Sequence, residues 1–127
     1  ISELGHFATE YADALYDSIH SPVLICDRDE IIAVSGESKK DYLNRSIGST
    51  IEDAIENRVN LLETETTTVE LSRGKEEEVR SYTISTIIAN GDPIGSVFII
   101  TRDDEVLTEV EQKVAQTAAN FLGKQME

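Results

Sequence analysis

Between Leu4 and Ile19 the apolar side chains Leu4, Phe7, Ala8, Tyr11, Ala12, Ala14, Leu15 and Ile19 return every three or four residues, the period of a helix with one broad apolar face. Ser21-Pro22 ends it, because the residue before a proline is pushed out of the α region. The period then changes. Val23 to Cys26 is an unbroken apolar run, and Glu30 to Val34 follows after the polar Asp27-Arg28-Asp29, which predicts a hairpin. Gly36 breaks the second strand, and Ser38 to Ile47, with Ser38 as cap and Tyr42 and Leu43 behind it, predicts a short helix or ordered loop. Thr50 is read as the cap of a clearer helix from Ile51 to Arg58, with Glu52 and Asp53 in the first turn, where the helix dipole favours acids.

Val59 to Glu65 has no decisive period, whereas Thr66 to Leu71 is rich in β-branched residues and predicts a strand closed by a turn at Ser72-Arg73-Gly74. Val79 to Ala89 and Ile94 to Thr101 predict a second hairpin about Asn90-Gly91-Asp92-Pro93, a turn whose residues tolerate positive φ. Thr108 with Glu111 three residues on is a capping box, and it opens a last helix that should run to about Gln125. The order of helix, two strands, short helices, three strands and helix describes an α+β fold. Its antiparallel sheet carries the N- and C-terminal helices on one face.

The last helix bears two adjoining apolar stripes, one of Val110, Val114, Thr117, Ala118 and Phe121, the other of Ala115, Ala118, Ala119, Leu122 and Met126. Together they are wider than one sheet contact needs, and leaving such side chains in water forgoes about 1.5–3 kcal/mol each. The expectation is a homo-oligomer, most simply a symmetric dimer, paired through the terminal helices at Leu4, Phe7, Tyr11, Ala115, Ala119, Leu122 and Met126. The opposing expectation is that sheet and helices of one subunit cover both stripes.

At 127 residues the chain has length for one core and one domain, spanning 1–127. It begins with Ile1, and Ser2-Glu3-Leu4 runs straight into the helical pattern, so the chain is expected to start partway along a longer polypeptide. Charge removes one class of function. With 25 acids against 11 bases and a net charge of −14, most of the surface repels a polyanion, and direct DNA binding by this segment is not expected. No apolar run approaches the roughly 18 residues needed to span a bilayer, and a cytoplasmic protein without membrane contact is expected.

Cys26 is the single cysteine, so an internal disulfide and a Cys/His zinc set are ruled out. It lies in an apolar run beside Asp27, which disfavours a reactive thiolate, so a buried structural role is expected. His6 and His20 stand on the first helix with no nucleophile motif, which supports neither catalysis nor a metal site. Asp27-Arg28-Asp29-Glu30 and Asp103-Asp104-Glu105 lack the alternation, glycine and distal glutamate of a calcium loop. No cofactor is expected. Lys39, Lys40 and Arg45 form the densest basic cluster, with Ser35, Ser38, Tyr42 and Asn44 beside them. They predict a lid over the sheet that offers a small anionic or polar ligand charge-assisted hydrogen bonds, with Tyr82 on the pocket floor. Against that reading stands a helix start with solvated charges, and a Tyr82 that is simply core.

The runs Ser2 to Asp17 (SELGHFATEYADALYD), Val23 to Arg28 (VLICDR), Ile32 to Ile47 (IAVSGESKKDYLNRSI), Ala89 to Gly95 (ANGDPIG) and Thr117 to Glu127 (TAANFLGKQME) resemble the C-terminal domain of the stage V sporulation protein T family. The resemblance spans essentially the whole chain, and SGESKKDYLN and the two helical segments are its most specific parts. It implies a GAF domain preceded, in the intact protein, by an AbrB-like swapped-hairpin domain that binds DNA. It further implies transcription regulation, both positive and negative, in the forespore of an endospore-forming bacterium, and oligomers to which the flanking helices contribute. The resemblance carries no ligand. The expected function is a regulatory domain that couples oligomeric state, and a small molecule of unassigned identity, to upstream DNA binding through the first helix. The alternative is an assembly module whose pocket is filled by side chains. A GAF-type sulfoxide reductase needs several cysteines, which this chain lacks.

Overall fold

The computed structural model describes residues 3–127, and the expectation that Ser2 joins the first helix lies outside the described residues. The chain runs α1 (Glu3–Ile19), β1 (Val23–Asp27), β2 (Ile31–Ser35), α2 (Lys39–Tyr42), α3 (Ser49–Glu56), β3 (Asn60–Glu63), β4 (Thr67–Ser72), β5 (Lys75–Val79), β6 (Ser81–Ala89), β7 (Asp92–Thr101) and α4 (Glu109–Gln125). Five strands form one sheet in the order β2-β1-β7-β6-β3, and β4 and β5 pair as a separate ribbon. Every pairing is antiparallel.

Both faces of the five-stranded sheet are covered, which explains why its central strands read as unbroken apolar runs and not as alternation. Val23 and Ile25 of β1 and Val97 and Ile99 of β7 face α1 and α4, where they meet Ala8, Ala12, Ala115, Ala118 and Leu122. The intervening Leu24, Cys26, Phe98 and Ile100 face the opposite layer of α2, α3 and the β4–β5 ribbon, packing on Tyr42, Ile51, Ile55 and Leu71. Alanines on the helices let them lie close to the sheet. A Cβ at Gly123 would collide with the Ile88 carbonyl oxygen, so α4 is seated on β6 backbone there.

Local signals act as expected at the second hairpin and the last helix. Asn90 and Gly91 take φ of 51° and 83°, and Ala89 pairs with Asp92, so the turn is the two-residue type with positive φ at both positions. Pro93 therefore lies inside β7, next to the register shift at Ile87/Ile88, where a missing N–H is tolerated. Thr108 caps α4, its Oγ1 accepting from Val110 N at 3.2 Å while Glu111 Oε1 accepts from Thr108 N at 2.7 Å.

Two expected caps do not form. Ser38 precedes α2 in an extended conformation with no side-chain capping bond. Thr50 lies inside α3, which starts a residue earlier after Gly48. Its hydroxyl accepts from the Glu70 N–H of β4 at 2.8 Å, and the α3 N-terminus is capped across the fold, Ser49 N–H donating to Glu70 Oε1 at 2.5 Å. A tertiary carboxylate has replaced the local hydroxyl. β3 and β5, absent from the sequence reading, are the edge strand Asn60–Glu63 and the charged Lys75–Val79.

Candidate functional site

The layer expected to hold a ligand is packed with side chains. Leu24, Ile31, Ile47, Ile51, Leu71, Ile84, Phe98 and Ile100 are fully buried there. Tyr82, expected on a pocket floor, stacks on Phe98 with centroids 4.9 Å apart and planes 11° from parallel. Cys26 is wholly buried in the same layer. Burial pushes its thiol pKa far up, the Ser96 hydroxyl opposes this, and Asp27 adds to the rise, so it is held as an inert thiol.

The expected ligand residues are dispersed. Ser35 is buried at the end of β2 and donates to the Asp13 carboxylate of α1, which ties α1 to the sheet. Ser38, Lys39, Lys40 and Arg45 are exposed on the outer side of the α2 segment. Tyr42 turns inward and its ring is buried, so this segment packs onto the core layer. Of the concavities lined by these elements, Arg45 borders an open one between the residue 41–46 loop and the β4–β5 turn.

The structure instead gathers four groups from three separate stretches of the chain. Arg102, just beyond β7, donates from Nε to Glu37 Oε2 at 3.0 Å, and from Nη2 to Glu77 Oε1 at 2.6 Å and to the Tyr42 hydroxyl at 2.7 Å. Tyr42 in turn donates to Glu77 Oε1 at 2.8 Å. Burial and the bond to Glu77 push the Tyr42 pKa well up, outweighing Arg102, which keeps it a neutral donor at any physiological pH. Burial alone would lower the Arg102 pKa, but its bonds to Glu37 and Glu77 raise it on balance. One cation thus fastens α2, β5 and the exit of β7 together. No sequence signal marks it, since residues 37, 42, 77 and 102 share no period.

Replacing Arg102 by alanine should leave Glu37 and Glu77 without a cation and cost about 2 kcal/mol in urea unfolding. That figure is reduced from the roughly 3–5 kcal/mol of a fully buried pair, because the arginine side chain is 35% exposed and screened by water. Tyr42→Phe, which keeps the ion pairs, should cost less.

The Glu70 cap makes a separate prediction about pH. Bonding from the Ser49 N–H, above all, holds the Glu70 carboxyl below its ordinary range, with Gly74 N–H contributing. A depressed folded pKa adds stability that is complete above the unfolded value and is lost as pH falls through the folded one. Glu70→Gln should therefore be less stable than the native chain at neutral pH. Chemical unfolding at stepped pH should show the two proteins converging as pH drops through and below about 4.

The terminal helices present a different surface. They lie side by side on the sheet and antiparallel, with Leu4 near Met126 at one end and the Tyr11 and Phe121 rings 5.1 Å apart across the seam. Leu4, Ala115, Ala119 and Leu122, expected between subunits, are buried inside this one, because the sheet takes the alanine-rich stripe of α4 and the inner face of α1. Met126 is half-buried against the same cluster. What remains outward is the other stripe. Phe7 is 36%, Phe121 44% and Val110 63% exposed, and these are the exposed large apolar residues among the described ones. Tyr11 and Val114 are half-buried beside them. The outward apolar side chains are thus Phe7, Tyr11, Val110, Val114 and Phe121, of which Phe7 and Tyr11 are among those expected at a subunit contact.

Among the described residues no helix is long and apolar enough to cross a membrane, and no group of three His, Cys, Asp or Glu side chains is placed to hold a metal. The fold is shared with a free methionine-R-sulfoxide reductase from Thermoplasma acidophilum at 15% identity, covering 97% of this chain and 94% of that one with a TM-score of 0.70. It is shared also with the GAF domain of an Acinetobacter phosphoenolpyruvate-protein phosphotransferase at 11% identity, covering 97% and 81% with a TM-score of 0.70. At such identities the likeness speaks for the fold alone. In sequence the chain is 56% identical over all 127 residues to stage V sporulation protein T of Bacillus subtilis (strain 168), spanning 71% of that protein. The family model "Stage V sporulation protein T C-terminal, transcription factor" matches residues 3–127. With a GAF-like core, terminal helices on one sheet face and a match along its described length, the chain belongs to the stage V sporulation protein T C-terminal family of transcription factors.

Proposed function

We propose that this domain is the pairing and regulatory part of a sporulation transcription factor, acting in the forespore. It brings two copies together through the outward strip of α1 and α4, and it performs no turnover. The observation that carries this reading is the set of exposed and half-exposed apolar side chains on the two terminal helices, Phe7, Tyr11, Val110, Val114 and Phe121, with Tyr11 and Phe121 in contact across them. In a chain with a net charge of −14, two copies repel one another, so association has to be driven by apolar burial and should tighten as salt screens the charge. Contact with DNA falls to an N-terminal domain outside this chain, as the same charge argues. Helix α1 enters the seam at its N-terminal half, so a change in the spacing or rotation of paired α1 helices would pass directly to whatever precedes them.

The packed layer beneath α2 favours the assembly reading over a ligand held on the sheet. Isotope-filtered nuclear Overhauser spectroscopy on a mixture of labelled and unlabelled protein tests the proposal. Cross-subunit contacts among the Phe7, Tyr11 and Phe121 rings and the Val110 and Val114 methyls are expected. Contacts confined to other surfaces would refute it.

A further inference from the structure

Two short basic segments, Lys39 to Arg45 and Arg73 to Lys75, hold five of the eleven lysines and arginines of this acidic chain. They are about thirty residues apart in sequence, and the fold brings them together. Ile47 bridges to Ser72, Arg73 N–H donates to the Ser46 carbonyl at 2.9 Å, and Gly48 N–H donates to the Leu71 carbonyl at 2.8 Å. Between the joined segments lies an open cleft of 570 Å³, on the outer surface and separate from the packed layer over the sheet. Arg45, Arg73 and Lys75 line it with one acidic residue, Asp41, and with Ser46 and Ser72.

The donors in this cleft are little used by the protein. Arg45 makes one long bond, from Nη2 to the Lys40 carbonyl at 3.4 Å. Lys75 places its ammonium 5.4 Å from the Tyr42 ring centroid, and among the described residues neither cation has a carboxylate within 4.0 Å and neither serine hydroxyl has a hydrogen-bond partner. Arg73 reaches Glu52 at 3.3 Å, with both side chains half exposed, a pair that water and salt weaken and a ligand can displace. The nearby Glu70 carboxylate is occupied by backbone N–H groups of Ser49 and Gly74. Two arginines, a lysine and two serines bordering one space offer a donor set that suits the tetrahedral, multiply charged oxygens of phosphate.

We infer that this cleft is a binding site for a small phosphorylated molecule, with Arg45 and Arg73 gripping its phosphate and Lys75, Ser46 and Ser72 completing the shell. The inference is independent of subunit pairing, since the cleft and the α1–α4 seam share no residue. Titrating ¹⁵N-labelled protein with inorganic pyrophosphate, against sodium chloride of matched ionic strength, tests it. Saturable shifts of the amides between residues 41–46 and 72–75 are expected. Affinity should be at least tenfold weaker in R45A/R73A and within about twofold of native in K39A/K40A. The side chains replaced are exposed, so the same spectra report whether each variant is folded. Absence of saturable shifts beyond the chloride control, shifts centred elsewhere, or equal losses in the two double variants would overturn the site.

Discussion

Phe98→Ala should lower the unfolding free energy by about 3–5 kcal/mol, the range for deleting a buried aromatic ring from a core that relaxes only in part. Phe98 is fully buried in the central strand β7 and stacks on Tyr82, so the substitution removes its own contacts and leaves one face of a second ring unpacked. A domain of this size has about 5–15 kcal/mol in all, and a loss on that scale should be plain in a urea titration. The measurement also decides between two pictures of the sheet. If the layer under α2 were a ligand chamber, one ring fewer would widen an existing space at small cost. A change below about 1 kcal/mol would show that Phe98 borders a void and not a packed core.

Phe121→Glu should abolish self-association while leaving the subunit folded. The ring lies 44% exposed beside Tyr11, so a carboxylate in its place stays solvated in the single subunit, but pairing would bury it without a partner. Because the change also trims the Tyr11 contact, Val110→Glu serves as an independent variant, its side chain being 63% exposed. Both proteins should sediment as monomers and unfold within about 1 kcal/mol of the native subunit. A folded F121E or V110E that still pairs with native affinity would place the interface on another surface.

Much of this fold was legible wherever one local rule and the tertiary environment agree. The periodic face of α1, the Thr108–Glu111 box of α4 and the Asn90-Gly91 turn each specify their own backbone, and long-range packing only confirms them. The misreadings occur where distant groups take over a local role. Thr50 reads as a cap in the sequence, which does not show that Glu70, twenty residues on, reaches the Ser49 N–H first. Lys75–Val79 carries three consecutive glutamates, a poor strand by propensity, and becomes one by pairing with β4.

The helix faces show the same division. Two stripes on α4 were visible, but which one the sheet would take depends on size, since Ala115, Ala118 and Ala119 allow close approach and Val110, Val114 and Phe121 do not. The ligand expectation for Lys39, Lys40 and Arg45 draws on residues adjacent in sequence. Tyr42 was the one member of that group drawn into a network, and its partners Glu37, Glu77 and Arg102 became visible only once β5 and the end of β7 were in place. Arg73 and Lys75, which share a cleft with Arg45, were hidden for the same reason.

Sedimentation equilibrium of the unmodified chain at tens of micromolar, at low and at high sodium chloride, tests the pairing claim most directly. The subunit mass is 14.1 kDa, and the account predicts a species of twice that mass whose dissociation constant falls as salt rises, the mark of apolar contact formed against charge repulsion. A strictly monomeric species at every salt concentration would contradict it.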